Sequence, residues 1–254
     1  MYLYIKHFVV FITILSIISC RESEVKLTEI HGSQIAIEES LKDSDSIEQF
    51  IAPYRSHVNS ELDAPLSYAP ALISKNDGRY NSSAGNLMAD IIIEQGNPVF
   101  KNRTKKDIDF AVMNHGGIRS VISAGNVSAR TAYEVMPFEN EIAVVGMQGK
   151  SVRDLVSFLI RSSRPHPISG MEIVLNPDGS LRSVNINGAP FDENRIYYVA
   201  TSDYLVKGGD DMSFFEEGLE VTTLDYQIRK AMIDYFAKTD TIKAVVDDRF
   251  IRLK

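Results

Sequence analysis

The chain has 254 residues, 44% of them hydrophobic and 24% charged, and a net charge of −7 at neutral pH. That length suits one sizeable domain or two small ones, and the composition is that of a folded globular protein. No basic patch of the density a nucleic-acid binder needs is present, and the short cluster Arg103-Thr104-Lys105-Lys106 reads as a solvated turn. An acidic chain still accommodates an anionic small ligand wherever local arginines gather.

Lys6 and His7 give a weakly positive start, and Phe8 to Ile18 is an apolar stretch too short for a comfortable membrane span. It runs into Ile17-Ile18-Ser19-Cys20, an order that resembles a bacterial lipoprotein cleavage site. Cys20 is the only cysteine, so a disulfide within the chain is excluded. Residues 1–19 read as a signal peptide, 20–38 as a lipidated N-terminus and linker, and 39–254 as one folded domain. The expected protein is exported and held to the bacterial cell envelope by acyl chains on Cys20. The competing reading of this segment is an uncleaved membrane anchor with an incidental thiol.

Residues 21–45 are polar and acidic, Arg21 to Lys26 suits a flexible spacer, and Leu27 to Ile37 alternates enough to suggest an edge strand. Ile47, Phe50, Ile51, Tyr54 and Val58 recur at helical spacing, with Pro53 marking a kink or a first turn. Ser67 to Ser74 predicts a short strand, and Lys75-Asn76-Asp77-Gly78-Arg79 a turn. Ser82 or Ser83 caps a helix with Leu87, Met88, Ile91 and Ile92 as its buried stripe. Asn86 and Asp90 share a face of that helix, either as a solvated pair or as a brace for the nearby loops.

Ile108 to Met113 is an apolar run that stops at Asn114-His115-Gly116-Gly117, a buried strand ending in a tight loop. Ile142 to Met147 predicts a strand, and a helix begins at Ser151 with Arg161 and Arg164 in its last turn. Met171 to Leu175 and Leu181 to Ile186 flank Asn176-Pro177-Asp178-Gly179-Ser180, a hairpin signal. Ile196 to Thr201 is β-rich, Leu224 to Phe236 carries a helical stripe, and Val245 to Ile251 suggests a closing strand. The mixture argues for an α+β fold with mixed sheets.

Three loops combine glycine with polar or aromatic residues: Asn114 to Arg119, Pro137-Phe138-Glu139-Asn140, and Tyr204 to Asp210 with Gly208 and Gly209 inside it. Singly each is an ordinary turn. Together they describe a site in which Phe138 and Tyr204 sandwich a planar ring, Asp210 accepts from sugar hydroxyls, and Asn114 and Arg119 donate to sugar or phosphate. His115 is the only histidine that the sequence order puts near that site, and it reads as structural.

The order Asn-x-Gly-Gly-Ile-Arg, then Pro-Phe-x-Asn, then aromatic-x-x-x-Gly-Gly-Asp, with an upstream Gly-Asn-Leu-x-x-Asp helix, resembles the C-terminal domain of 5′-nucleotidases over roughly residues 45–250. The resemblance implies a four-layer α/β/β/α domain that binds the substrate nucleoside. It implies stacking by Phe138 and Tyr204, ribose contacts from Asp210, ribose and phosphate contacts from Asn114 and Arg119, and a base-edge contact from Asn140. In such domains arginines before the Gly-Asn-Leu helix also meet phosphate, and Arg79 is the candidate here.

Those enzymes carry a further metallophosphatase domain with two metals. Its Asp-x-His, Asn-His-Glu/Asp and Gly-His-x-His motifs are absent from this chain, whose histidines are His7, His31, His57, His115 and His166. A two-metal centre needs clustered histidine and carboxylate ligands. The expectation is therefore no catalytic residue, no metal and no cofactor here, with divalent metals supplied by a separately encoded metallophosphatase partner. Two alternatives stay open: a surface lipoprotein that captures nucleotides or nucleosides without catalysis, and a structural remnant.

Overall fold

A computed structural model of the protein describes residues 2–18, 27–162 and 164–254. Cys20 and the Arg21 to Lys26 spacer lie outside the described residues. The chain divides into two compact units, Met1–Phe50 and Ile51–Lys254. The first contains helix α1 (Tyr2–Ile18) and an irregular run with one turn. Among the described residues no helix is long and apolar enough to cross a membrane. Helix α2 (Asp45–Asp63) crosses the division.

In the second unit the order is β1 (Pro65–Ala69), α3 (Ser83–Thr104), β2 (Phe110–Val112), β3 (Gly125–Ser128), α4 (Ala129–Val135), β4 (Glu141–Gln148) and α5 (Gly149–Arg161). There follow β5 (Ile168–Ser169), β6 (Met171–Leu175), β7 (Leu181–Ile186), β8 (Ala189–Pro190), β9 (Ile196–Ser202) and α6 (Asp203–Val206). The chain closes with β10 (Glu220–Gln227), α7 (Ile228–Lys238) and β11 (Phe250–Arg252). A five-stranded sheet runs β10-β4-β9-β2-β5, a four-stranded sheet β11-β6-β7-β8, and β1 pairs with β3. The fold is α+β with mixed sheets, of the α/β/β/α class expected.

The five-stranded sheet places the site. Ile142 to Met147 is buried on both faces of β4, which is why that strand reads as an unbroken apolar run. Strand β2 runs parallel to β9, with Phe110 opposite Val199, so the loops that leave both strands emerge at one end. Strand β4 is antiparallel to β9, with Ile142 opposite Ser202, so the loop entering β4 reaches that same end. Strand β5 is antiparallel to β2, and β10 to β4 with Gln227 opposite Glu141. The segment before β5 and the start of α7 therefore arrive there as well.

Several local expectations change. Leu27 to Ile37 forms no strand and is exposed throughout, because alternation without a neighbouring edge to pair with gives no ladder. Helix α2 runs through Pro53 instead of starting there, and none of its residues is buried. Periodicity specifies the helix, but burial needs a facing surface. The strand expected over Ser67 to Ser74 is β1, shifted two residues earlier, with Ile73 making only an isolated bridge to Ile122. Ser82 caps α3 by accepting from the Gly85 amide at 3.1 Å. Helix α5 starts at Gly149 and stops at Arg161, which leaves Arg164 beyond it. Leu224 belongs to β10, not to the last helix, and of Val245 to Ile251 only Phe250 and Ile251 are in a strand. The 171–186 hairpin stands as expected.

Candidate functional site

The loops at that end of the sheet enclose a cleft of about 310 Å³. Asn114, Gly116, Gly117 and Arg119 line it from the loop after β2, Phe138 and Asn140 from the loop before β4, and Tyr204 and Asp210 from the segment after β9. Eight of the predicted site residues are thus brought together from positions up to 96 residues apart.

Asp210 is the hub. Asn114 Nδ2 donates to its Oδ2 at 2.6 Å and the Tyr204 hydroxyl donates to its Oδ1 at 3.1 Å. A carboxylate has about four lone-pair positions, so these two bonds orient it and leave acceptor capacity toward the cleft. The same contact raises the Tyr204 phenol above its ordinary value, keeping the hydroxyl protonated as a donor. Asp210 takes a left-handed backbone, φ 54°, which aspartate tolerates better than most residues.

Close approach explains two glycines. A Cβ on Gly209 would lie 2.5 Å from the Tyr204 ring, and one on Gly117 would lie 2.8 Å from Asn114 Oδ1. Gly208, at φ +78°, supplies the turn that precedes Gly209 in the third loop. Gly208 and Gly209 shape the loop and do not themselves line the cleft.

Phe138 and Tyr204 are 39% and 44% exposed, and both line the cleft. The Arg119 guanidinium stands 5.9 Å from the Phe138 ring centroid, within cation–π range. Its hydrogen bond is a long one, 3.4 Å to the Gly116 carbonyl, and among the described residues it has no carboxylate partner.

The structure adds residues that the sequence reading missed. Lys75 Nζ donates to the Ile118 carbonyl at 2.5 Å, beside Arg119. Burial, then the charges of Arg119 and Arg164, lower the Lys75 ammonium from its ordinary value. His166 Nδ1 accepts from the His115 amide at 3.3 Å, and its Nε2 meets the Ser162 hydroxyl at 3.0 Å. Burial, followed by the neighbouring His115, lowers His166 to about 4. His115 is lowered by burial, then by Lys75 and Arg164. His115 is buried and meets His166 through its backbone amide, while its own Nδ1 has no hydrogen-bond partner among the described residues. The signal for Lys75 was present, since it opens the turn in which Arg79 was singled out.

Arg79 is not in the cleft. It lines a separate depression with Tyr80 and Val246, its guanidinium 5.3 Å from the Tyr80 ring, because Tyr80 packs on Phe250 at 4.9 Å and turns that end of the loop away. Asn86 and Asp90 do not brace the site loops either. Asn86 Nδ2 donates to Asn81 Oδ1 at 2.8 Å and to the Val245 carbonyl at 2.9 Å, and Asp90 pairs with Arg249 at 2.9 Å, which ties α3 to the C-terminal segment.

The donor set does not fit a two-metal centre. Among the described residues no three His, Cys, Asp or Glu side chains are grouped to hold a metal ion, and His166 spends both ring nitrogens on protein partners.

A family model described as "5′-nucleotidase, C-terminal domain" matches residues 61–217. Protein UshA of Escherichia coli is 35% identical over 105 residues, 40% of this chain and 19% of that protein. A 5′-nucleotidase of Vibrio vulnificus is 25% identical over 194 residues, 73% of this chain and 33% of that protein. The chain therefore spans a third or less of these relatives. The crystal structure of a 5′-nucleotidase precursor from Thermus thermophilus superposes with a TM-score of 0.67 at 21% identity, covering 81% of this chain and 43% of that one, a likeness of fold.

Proposed function

The chain belongs to the 5′-nucleotidase C-terminal domain family, and from that premise we propose that its cleft binds a nucleotide for hydrolysis by a separately encoded metallophosphatase. One observation supports the reading: two partly exposed aromatic side chains, an oriented carboxylate and an arginine with no carboxylate partner among the described residues meet in a single cleft on three loops. Phe138 and Tyr204 receive the base, where stacking contributes about 1–3 kcal/mol per base. The spare acceptor positions of Asp210 take the ribose hydroxyls. Asn140 reads the base edge, and Asn114 and Arg119 face ribose and phosphate, with Lys75 adding charge on the phosphate side.

Hydrolysis of a phosphate ester at neutral pH needs a generated hydroxide and a charge clamp on the phosphoryl oxygens. The partner supplies both through its divalent metals, and this chain supplies substrate binding. The reading includes export and acylation at Cys20, supported by the apolar stretch that ends at Ser19-Cys20. The alternative, capture without catalysis, is favoured by the presence of every proposed ligand contact on this one chain.

Titration calorimetry of the full chain with adenosine and AMP tests the site, beside Phe138→Ala and Asp210→Ala. Binding by the parent that each substitution weakens by roughly 1–3 kcal/mol is expected. Phosphate release from AMP only when a metallophosphatase is added supports the split enzyme. Tight binding with no release under any pairing favours capture, and no binding with or without the partner removes the nucleotide reading.

A further inference from the structure

The loop that carries Phe138 has no regular structure, yet it is held at each residue from Phe138 to Glu141. Arg229 donates through one guanidinium nitrogen to the Phe138 carbonyl at 3.2 Å and through another to the Glu139 carboxylate. Gln227 Nε2 donates to the other Glu139 oxygen at 2.6 Å. The Ile228 amide donates to the Asn140 carbonyl at 3.0 Å. At the far end the Glu141 amide donates to Asp203 Oδ1 at 3.1 Å, next to Tyr204. Three consecutive residues, 227–229, grip one side of the loop, and the helix that bears the second ring holds the other.

Arg229 is a costly choice for this position. It is 5% exposed, and its guanidinium lies 4.2 Å from the Tyr133 ring centroid. It is also the second residue of α7, at the positive end of the helix dipole, and no acidic residue occupies that first turn. A buried cation there is tolerated only because its partners are well placed. Its counter-charge is Glu139, a largely exposed carboxylate on the ring-bearing loop. A locally disfavoured residue whose two hydrogen bonds and ion pair run to the Phe138 loop points to function, since consistent sequences break local rules mainly at such sites.

We infer that Arg229 is a positioning residue of the cleft: with Gln227 and the Ile228 amide it fixes the Phe138 loop so that the ring stands ready for a planar base opposite Tyr204. The inference rests on the nucleotide reading of the cleft. Its benefit is preorganisation, because a loop ordered before binding loses less freedom when the ligand arrives. The Arg229 hydrogen bond also holds the Glu139 carboxyl below its usual range, so the clamp stays charged in mildly acidic conditions.

The chain contains no tryptophan, so Phe138→Trp places a single indole reporter on the loop. The full chain is prepared with this reporter alone and combined with Arg229→Gln, Arg229→Lys or Glu139→Gln. Arg229→Gln and Glu139→Gln are expected to lower indole anisotropy and to increase acrylamide quenching about twofold. Arg229→Lys restores part of the signal, since an ammonium meets Glu139 but lacks the fork that also reaches the carbonyl. With Phe138 intact, Glu139→Gln weakens AMP and adenosine binding equally, by roughly tenfold or ~1.4 kcal/mol, at an unchanged melting temperature. A merely structural arginine would move the melting temperature and leave reporter and ligand ratios alone. Unchanged anisotropy and affinity in Glu139→Gln and Arg229→Lys overturn the inference, and both substitutions remain informative if Arg229→Gln fails to fold. A parent that binds neither AMP nor adenosine defeats the nucleotide reading, while the anisotropy series still decides whether Arg229 orders the loop.

Discussion

Two polar regions of this protein sit at cavities, and the larger is the less promising. The cavity around Arg249 measures about 670 Å³ against about 310 Å³ for the cleft at Asp210. Around Arg249, however, the polar groups answer one another. Its guanidinium bonds Asp247 at 2.8 Å, Asp90 at 2.9 Å and the Ile168 carbonyl at 2.7 Å. Asn81 donates to the Asp247 and Phe250 carbonyls, at 2.9 and 3.1 Å, and so pins the C-terminal segment to the start of α3. At the cleft, Asp210 keeps spare acceptor positions, Phe138 and Tyr204 stay partly exposed, and Arg119 and the nearby Lys75 have carbonyls instead of carboxylates for partners. A network whose charges are paired holds a fold together, whereas groups with unused capacity facing a cavity are available to a ligand. Cavity size alone does not separate the two.

The sharpest way to break the comparison is Arg249→Met. If the network is structural, removing its centre strands Asp90 and Asp247 and costs about 3 kcal/mol, the low end for a broken buried pair because both carboxylates keep some solvent. The melting temperature should fall by roughly 6–12 °C for a chain of this size. AMP affinity, measured well below that temperature, should stay within about twofold. A large loss of affinity with little change in melting would reverse the roles assigned to the two regions.

Acid should distinguish them next. His166 is held neutral in the folded state, at about 4 against an ordinary 6.5. Between those values the unfolded chain binds a proton that the folded chain refuses, so this stabilisation is present above pH 6.5 and is lost as the pH falls toward 4. At pH 5 the loss is ~2 kcal/mol. The Arg249 network behaves otherwise: burial alone would raise Asp247, but the Arg249 hydrogen bonds outweigh it and keep it below the usual carboxylate range. Hydrogen exchange at pH 5 should therefore open the His115 amide, which donates to His166, before the Asp247 amide, which donates to Asn81. His166→Gln should flatten the pH dependence of stability. Equal protection of both amides would remove the distinction.

What the sequence made legible follows the same divide. The three cleft loops were readable because their signals are local: a glycine pair after a strand, an aromatic beside an amide, an aspartate after Gly208-Gly209. The 171–186 hairpin was readable for the same reason. That the loops share one end of a sheet was not local information. Its physical cause is the strand order, with β2 parallel and β4 antiparallel to β9. Contacts between distant segments were invisible. Arg229 meets Phe138 across 91 residues, and His166 meets His115 across 51. Arg79 illustrates the converse, since proximity in sequence to the right helix did not bring it to the cleft, while Lys75 in the same turn reached the Ile118 carbonyl.

Lys75 offers the finest test, because it can serve either region's logic. As a structural residue it holds the Ile118 carbonyl and so the loop that carries Arg119. As a ligand residue it adds positive charge where a phosphate enters. The two roles predict different ratios. Adenosine and AMP share base and ribose, so any loss of loop geometry weakens both alike. A charge effect weakens AMP alone. The ammonium is partly buried, and burial and the nearby arginines lower it from its ordinary value, so the unliganded cluster of like charges repels itself. An arriving phosphate relieves that repulsion, which makes the charge count more for AMP than its exposure suggests. Lys75→Met is therefore expected to weaken AMP about fivefold, ~1 kcal/mol, and adenosine not at all, with the difference shrinking as salt rises because exposed charge interactions are screened. Equal losses for both ligands, insensitive to salt, would move Lys75 to the structural side of the comparison and leave Arg119 and Arg164 as the charge available to the phosphate.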